Sequence, residues 1–407
     1  MQAINTKNMD TGDGASPVVD DLIGVNNLEY NLPADLSVCS QKRYAKHFFQ
    51  NSTYGSSNTT AICILQTGSA FVGEAYLHFK VDATLSAGSA TLGAATDLIE
   101  QLVIYSRDGT EISRTNNMNL LVRTLNKYKS TQGKIDNFDE MWAKEAVAGT
   151  GIVEYSIPMS AMSDLFNYGK TQSLLPSVLM AGLRIEFMLA NPTNGFKATG
   201  GLVNSYVLSD MYINIAEHQL SDAVALKVNS MAAQHGLEIP FVEYFSSKYS
   251  ISGQPFNIEL RKACSRALMV LMIPQTDKAK ATADTYSPDQ AWAVEQIWTR
   301  IGSIYMPNSI SSSKQEHYIY TTEAFSKHFS TSQSCSVSLQ EYTTQSTGVF
   351  AQNLERSAIP LSGMSVNNSR VIQLNGQFTS AANRDVTTFL AYVRCCRIYL
   401  NNTVVEE

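Results

Sequence analysis

Strict alternation of apolar and polar residues is the most regular feature of this chain. In AYLHFKVDA (75–83), Leu77, Phe79 and Val81 alternate with Tyr76, His78, Lys80 and Asp82. In GLRIEFML (182–189), Leu183, Ile185, Phe187 and Leu189 oppose Arg184 and Glu186, and RVIQLNGQF (370–378) sets Ile372, Leu374 and Phe378 against Gln373, Asn375 and Gln377. A period of two sends such sets to opposite faces of a strand, so these segments predict half-buried strands of antiparallel sheets. Strand signals continue at 240–251, 264–274, 295–307 and 335–342. Two longer stretches, SYVLSDMYINIA (205–216) and TTFLAYVRCCRIYL (387–400), read as closing strands nearly half the chain apart. In the second, Phe389, Ala391 and Val393 face one way and Leu390, Tyr392 and Ile398 the other, which predicts burial on both sides. Asp210 and Asn214 make the first closing strand the more exposed of the two.

Between the strands the period changes. DLIEQLVIYSRDGTEI (97–112) predicts a hairpin turning at Asp108-Gly109, a dipeptide that tolerates positive φ at both central positions. Met118, Leu121, Val122, Leu125 and Tyr128 then recur at helical spacing, with Thr115 or Asn116 as the expected N-cap. Shorter helices are expected at 160–167, 219–233 and 321–328.

At 407 residues the chain exceeds one ordinary core, and two domains are expected. Residues 1–45 read as an N-terminal arm, small and polar through residue 27. Residues 46–217 form the first β-unit, 218–236 a connecting segment and 237–407 the second β-unit. The stretch 275–293 reads as an exposed loop, and strands at this density predict two sandwiches or barrels in series.

Composition narrows the function classes. The chain is 44% hydrophobic but only 16% charged, so uncharged polar residues cover much of the surface. That suits flanks covered by neighbouring copies and, equally, a β-rich extracellular-type surface. The net charge is −6, and in the opening segment Asp10, Asp13, Asp20 and Asp21 face Lys7 alone. An acidic arm does not neutralise phosphates, so no direct nucleic-acid binding is expected. Of six cysteines, none forms a CxxC pair, and adjacent Cys395 and Cys396 project to opposite faces of a strand. Free, mostly buried thiols in a reducing compartment are expected. No signal peptide or membrane span is read in the sequence. The glycosylation matches at Asn51, Asn58, Asn367 and Asn401 therefore count as chance, and synthesis inside a host cell is expected.

No catalytic constellation emerges. The histidines (His47, His78, His218, His235, His317 and His328) include no i, i+4 metal pair, and HExxH, GxxxxGK[ST], GxGxxG and GxSxG are absent. His78 reads as a surface imidazole, and Glu316-His317 with Glu323 as solvated side chains on a strand-to-helix loop. The carboxylate pairs Asp20-Asp21 and Glu406-Glu407 lie at chain ends, where nothing orients them for acid–base work. Trp142, Trp292 and Trp298 fit core or interface packing better than a sugar platform. No catalytic, cofactor-binding or metal residue is nominated, and no cofactor is expected.

Three segments resemble a known family. They are AATDLIEQLVIYSRDGTEISRTNNMNLLVRTL (94–125), IPMSAMSDLFNYGKTQSLLPSVLMAGLRIEFMLA (157–190) and QIWTRIGSIYMPNSISSSKQEHYIYTTEAF (296–325). Together they are similar to the double jelly-roll major capsid proteins of DNA viruses, especially the polinton-like and virophage-like group. The resemblance implies an all-β fold: two eight-stranded antiparallel jelly-roll barrels in tandem with short helical inserts. It also implies a non-enzymatic structural protein whose pseudo-hexameric homotrimers tile an icosahedral virion shell, commonly over an internal membrane. Implied partners are copies of the chain itself, neighbouring trimers, and penton and minor capsid proteins. The arm would face inward or clamp a neighbour, with the loops at 130–150 and 275–293 on outer or inter-trimer surfaces. Two alternatives stand beside it. One is a single-jelly-roll coat or vertex protein with an added domain. The other is a two-domain β-sandwich carbohydrate-binding protein or glycosidase, which needs paired carboxylates in an aromatic-lined cleft.

Overall fold

Of the twenty-two strands among the described residues, sixteen fall into two sets of eight that repeat one order. The first set is β1 (Cys39–Phe48), β2 (Thr60–Ile64), β3 (Phe71–Leu85), β4 (Ile99–Tyr105), β5 (Glu111–Asn116), β6 (Val153–Pro158), β7 (Arg184–Leu189) and β8 (Val203–Leu220). The second is β9 (Leu237–Ile251), β10 (Pro255–Leu260), β11 (Cys264–Thr276), β12 (Val294–Ile301), β13 (Ile304–Ser311), β14 (Phe350–Asn353), β15 (Ile372–Phe378) and β16 (Arg384–Ile398). In this computed structural model the described residues are 39–85, 89–129, 141–142, 146–148, 151–171, 173–199, 203–276, 292–328, 336–345, 347–357, 361–366, 370–400 and 402–406.

The first barrel pairs β1-β8-β3-β6 in one sheet and β2-β7-β4-β5 in the other. The second pairs β9-β16-β11-β14 and β10-β15-β12-β13. Adding eight to each strand number of the first barrel gives the second, and every pairing is antiparallel. This is the jelly-roll order twice over, with the two closing strands at the centre of their sheets. Burial follows from that position. β16 is buried on both faces from Val386 to Val393, whereas β8 leaves Asp210 exposed and Asn214 half-buried.

Local chemistry explains the helical inserts. The helix α1 (Met118–Tyr128) follows β5, and its N-cap is Asn117 rather than Thr115 or Asn116. Asn117 adopts φ 52°, and its side-chain amide donates to Ser246 Oγ at 3.0 Å instead of capping its own helix. Next come α2 (Asp164–Thr171) and α3 (Asp222–Gln234), the latter linking the barrels. Then α4 (Lys314–His328) follows β13 just as α1 follows β5.

Several expectations need correction. The stretch 335–342 is not a strand. Ser338 and Glu341 form a reciprocal capping box that starts helix α5 (Leu339–Thr344). The stretch 295–307 is a hairpin, turning at Gly302 with φ 60°. At the β4–β5 turn only Gly109 has positive φ; Asp108 instead holds the turn by accepting from Thr110 N. β1 begins at Cys39, ahead of the expected boundary at 46, and β8 runs to Leu220, beyond 217. The arm through residue 38, and most of the loops at 130–150 and 275–293, lie outside the described residues.

Tight packing in both sheets generates a test. A Cβ on Gly376 in β15 would meet Gln296 O at 2.3 Å and Phe256 Cζ at 2.5 Å. Phe389, fully buried in β16, fills the second core. Gly376→Ala is expected to cost about 1–3 kcal/mol by overpacking, and Phe389→Ala about 3–5 kcal/mol by opening a cavity. Urea denaturation checks both, and a wild-type midpoint for either would contradict this packing.

Candidate functional site at the junction of the two barrels

The edge strand β9 exposes one row of backbone groups that its own sheet does not pair, because β16 occupies only its other side. The first barrel supplies a partner for one of these backbone groups and for two side chains of the same strand. Asp164, at the start of α2, accepts from Val242 N at 2.7 Å. Asn117 reaches Ser246 at 3.0 Å. The backbone N–H of Arg114 in β5 donates to Glu243 Oε1.

Glu243 is the electrostatic centre of this contact and is 3% exposed. Its other oxygen accepts from Arg394 Nη1 at 2.7 Å and from Tyr392 OH at 3.2 Å. Burial pushes the carboxyl above its ordinary pKa, with the Arg394 charge and the donors from Arg114 and Tyr392 opposing that rise. One carboxylate thus joins β5 of the first barrel to β9 and β16 of the second.

The apolar cores interlock around this group. Ile239 and Phe241 of β9, with Cys396 and Ile398 of β16, pack into the first barrel's core. Leu120, Leu121 and Tyr128 of α1 pack into the second. Arg123 holds α1 in place through Asp97, a buried carboxylate 2.7 Å away. Tyr128 stacks on Phe325 of α4 at 4.4 Å and donates to Thr347 O at 2.6 Å. His328, the last residue of α4, shares a hydrogen bond with Tyr244 of β9. Burial lowers its imidazole to a pKa of about 4, against the pull of nearby Asp164 and with help from Lys129.

A second clasp lies at the turn between β4 and β5. Asp108 accepts from the backbone N–H of Thr403 at 2.8 Å, which ties the C-terminal strand Thr403–Glu406 to the first barrel. Burial works against its ionisation, but the bonds from Ser106, Thr403 and Thr110 hold its carboxyl below the usual range. A cavity of about 620 Å³ opens beside this clasp. Among the described residues its lining carries one carboxylate, Asp108, and one aromatic ring, Tyr399.

Three histidines pack into the structure in ways their spacing did not reveal. His78 is 8% exposed, not a surface imidazole: it stacks on Tyr212 at 4.5 Å, meets Ser156 at 3.0 Å and faces Glu154 at 3.2 Å. His317 lies on α4, not on a loop, and is fully buried. It accepts from Trp292 Nε1 at 2.8 Å, while its Nε2 lies 3.1 Å from Ser311 O, a geometry that fits a neutral ring donating there. His47 accepts from Gln66 N at 3.2 Å and faces Glu217. Burial lowers the pKa of all three. Trp142 and Trp292 are buried, and Cys63, Cys395 and Cys396 are free thiols. Burial raises Cys63 and Cys396 to about 12, which makes them inert. Among the described residues, no three His, Cys, Asp or Glu side chains gather as a metal site, and no helix is long and apolar enough to cross a membrane.

Two outcomes follow from the junction. Glu243→Ala strips Arg394 of its carboxylate and leaves the Arg114 N–H without its acceptor, an expected loss of about 3–5 kcal/mol in denaturant unfolding. A wild-type unfolding midpoint would contradict this. His328 binds its proton more weakly when folded than in the unfolded chain, where the ordinary value is 6.5. Stability should therefore fall as pH drops from 6.5 through 4. His328→Gln should flatten that part of the melting-temperature profile relative to wild type.

No protein-family model matches the sequence, and no curated protein does. Solved structures match closely in shape. A chain of the PBCV-1 virus capsid superposes with a TM-score of 0.65 at 10% identity, covering 93% of this chain and 99% of that one. The Faustovirus major capsid protein gives 0.61 at 8% identity, with 91% and 92% covered. The mavirus major capsid protein gives 0.53 at 11% identity, with 93% and 94% covered. At such identities the likeness is one of fold, and its coverage of 91–93% of the chain takes in both barrels. The chain has the double jelly-roll fold found in these viral capsid proteins.

Proposed function

We propose that this chain is the major capsid protein of a DNA virus, a structural subunit that acts by self-assembly within the virion. The observation that carries this reading is the tandem repeat itself. Two barrels of one strand order are joined edge to edge through a buried, hydrogen-bonded contact, in a fold shared along nearly its whole length with capsid subunits. Three such chains would present six similar barrels, a pseudo-hexagonal block that fills a six-neighbour lattice with three-fold symmetry. Trimers would tile an icosahedral shell, with penton and minor capsid proteins at its special positions and an internal membrane beneath. The acidic arm argues against direct contact with the genome. A structural rather than enzymatic role accords with histidines held in packing and with a cavity that offers one carboxylate. The sandwich glycosidase is the weaker reading for the same reason.

Light scattering on the purified protein is expected to give three times the mass of one chain, and electron microscopy of concentrated samples is expected to reveal hexagonal arrays or closed particles. A monomer that stays monomeric at high concentration, together with glycan binding, would overturn the proposal.

A further inference from the structure

Within one chain, the edge formed by β5 and α1 is covered by β9. The strand repeat assigns counterparts to each of these: β13 with α4, and β1. Among the described residues no strand pairs with the outer edge of either counterpart, and their side chains differ accordingly. In β5, Ile112, Ser113 and Thr115 are buried, whereas β13 leaves Ile304 41%, Tyr305 44% and Ile310 56% exposed. On the helix that follows, Ile319 of α4 is 57% exposed, while Leu120 and Leu121 on α1 are 2% exposed.

The strand β1 shows the same contrast with β9. Ile239, Phe241 and Glu243 lie against the first barrel on the outward side of their sheet. On β1 the register opposes Tyr44 to Ala216 and Phe48 to Tyr212, away from the core-facing Ile213 and Ile215. Tyr44 is 58% and Phe48 is 69% exposed. Phe48 meets the ring of Tyr212 at 5.9 Å, and Lys46 covers that same ring at 4.2 Å. The outcome is an apolar, basic face with exposed Lys42 and Lys46 beside the two rings. On the other flank, α4 presents exposed Glu316 and Glu323 between Lys314 and Lys327.

Six of the sixteen exposed large apolar side chains among the described residues thus lie on β1, β13 and α4. A soluble chain scatters such residues singly, and their concentration on two complementary flanks marks interaction surfaces. Resting on the trimeric reading above, we infer that β1 of one copy packs against β13 and α4 of the next, repeating between chains the contact that β9 makes with β5 and α1 within one. The occupant of each flank is a second copy of this chain. The contact is head-to-tail, so it generates a ring when the rotation closes, and Phe48 and Tyr44 are its anchors on one side against Tyr305, Ile310 and Ile319 on the other.

Phe48→Asp and Ile310→Asp alter well-exposed positions and are expected to leave the far-UV circular dichroism of the chain unchanged. Each should shift the trimer to monomer in light scattering, with at least a tenfold rise in the concentration needed for assembly. A second measurement avoids mutational disruption. Phe48→Cys combined with Ile310→Cys, treated with a short bis-maleimide, should yield covalent trimers on a denaturing gel, with wild type as the control for native thiols. Phe48→Cys alone should give none, because head-to-tail packing keeps the two copies of residue 48 apart. If wild type is trimeric and both aspartate variants remain trimeric, or if Phe48→Cys alone cross-links to itself, this interface is wrong while the trimer stands. If wild type is monomeric at every concentration, the trimeric reading itself fails and the interface with it.

Discussion

Every β-sheet that does not close on itself leaves backbone donors and acceptors along its outer strands, and these must be covered or wetted. In this chain the critical strand is β9. Its outer edge is buried against the first barrel, where Asp164, Asn117 and the Arg114 N–H meet Val242, Ser246 and Glu243. Asp97 holds Arg123 so that α1 can lie across the seam, and Tyr128 extends it to α4 by stacking on Phe325. Remove this constraint and the two barrels have no reason to share one orientation.

The polar groups at the seam set its precision, and the apolar ones set its strength. Burying Glu243 is costly in itself, and Arg394, Tyr392 and Arg114 offset that cost by satisfying its oxygens. Leu120, Leu121, Ile239 and Phe241 supply the apolar area, which is indifferent to small shifts of register. A carboxylate that accepts from three directions permits one register only. The pairing of a directional group with a greasy surround is what lets two near-identical barrels join in a single way.

Much of the fold was legible from local alternation. The sets around Leu77, Ile185 and Leu374 each lie on strands, and the doubly apolar 387–400 stretch is the buried closing strand it resembled. Local signals of another kind were there to be read. Ser338 and Glu341 outweigh the β-like look of 335–342 by satisfying the first turn of a helix, and Gly302 breaks 295–307 into a hairpin. The junction was not legible, because its partners come from far along the chain. Glu243 meets Arg114 across 129 residues and Arg394 across 151. His78 is buried by Tyr212, and His317 by Trp292, for the same reason. No pattern within a window of twenty residues encodes such meetings; they exist only once the sheets have formed.

The interlocking of the two cores has a consequence for synthesis. Ile239, Phe241, Cys396 and Ile398 belong in sequence to the second barrel but complete the interior of the first. A ribosome releases the first eight strands well before it reaches Cys396. Until then the nascent chain carries an open apolar seam, the kind of surface to which holding chaperones bind and through which neighbouring nascent chains stick together. The N-terminal barrel therefore reaches its mature interior only after the last strands have left the exit tunnel, and folding of the whole chain is in this sense decided at its end.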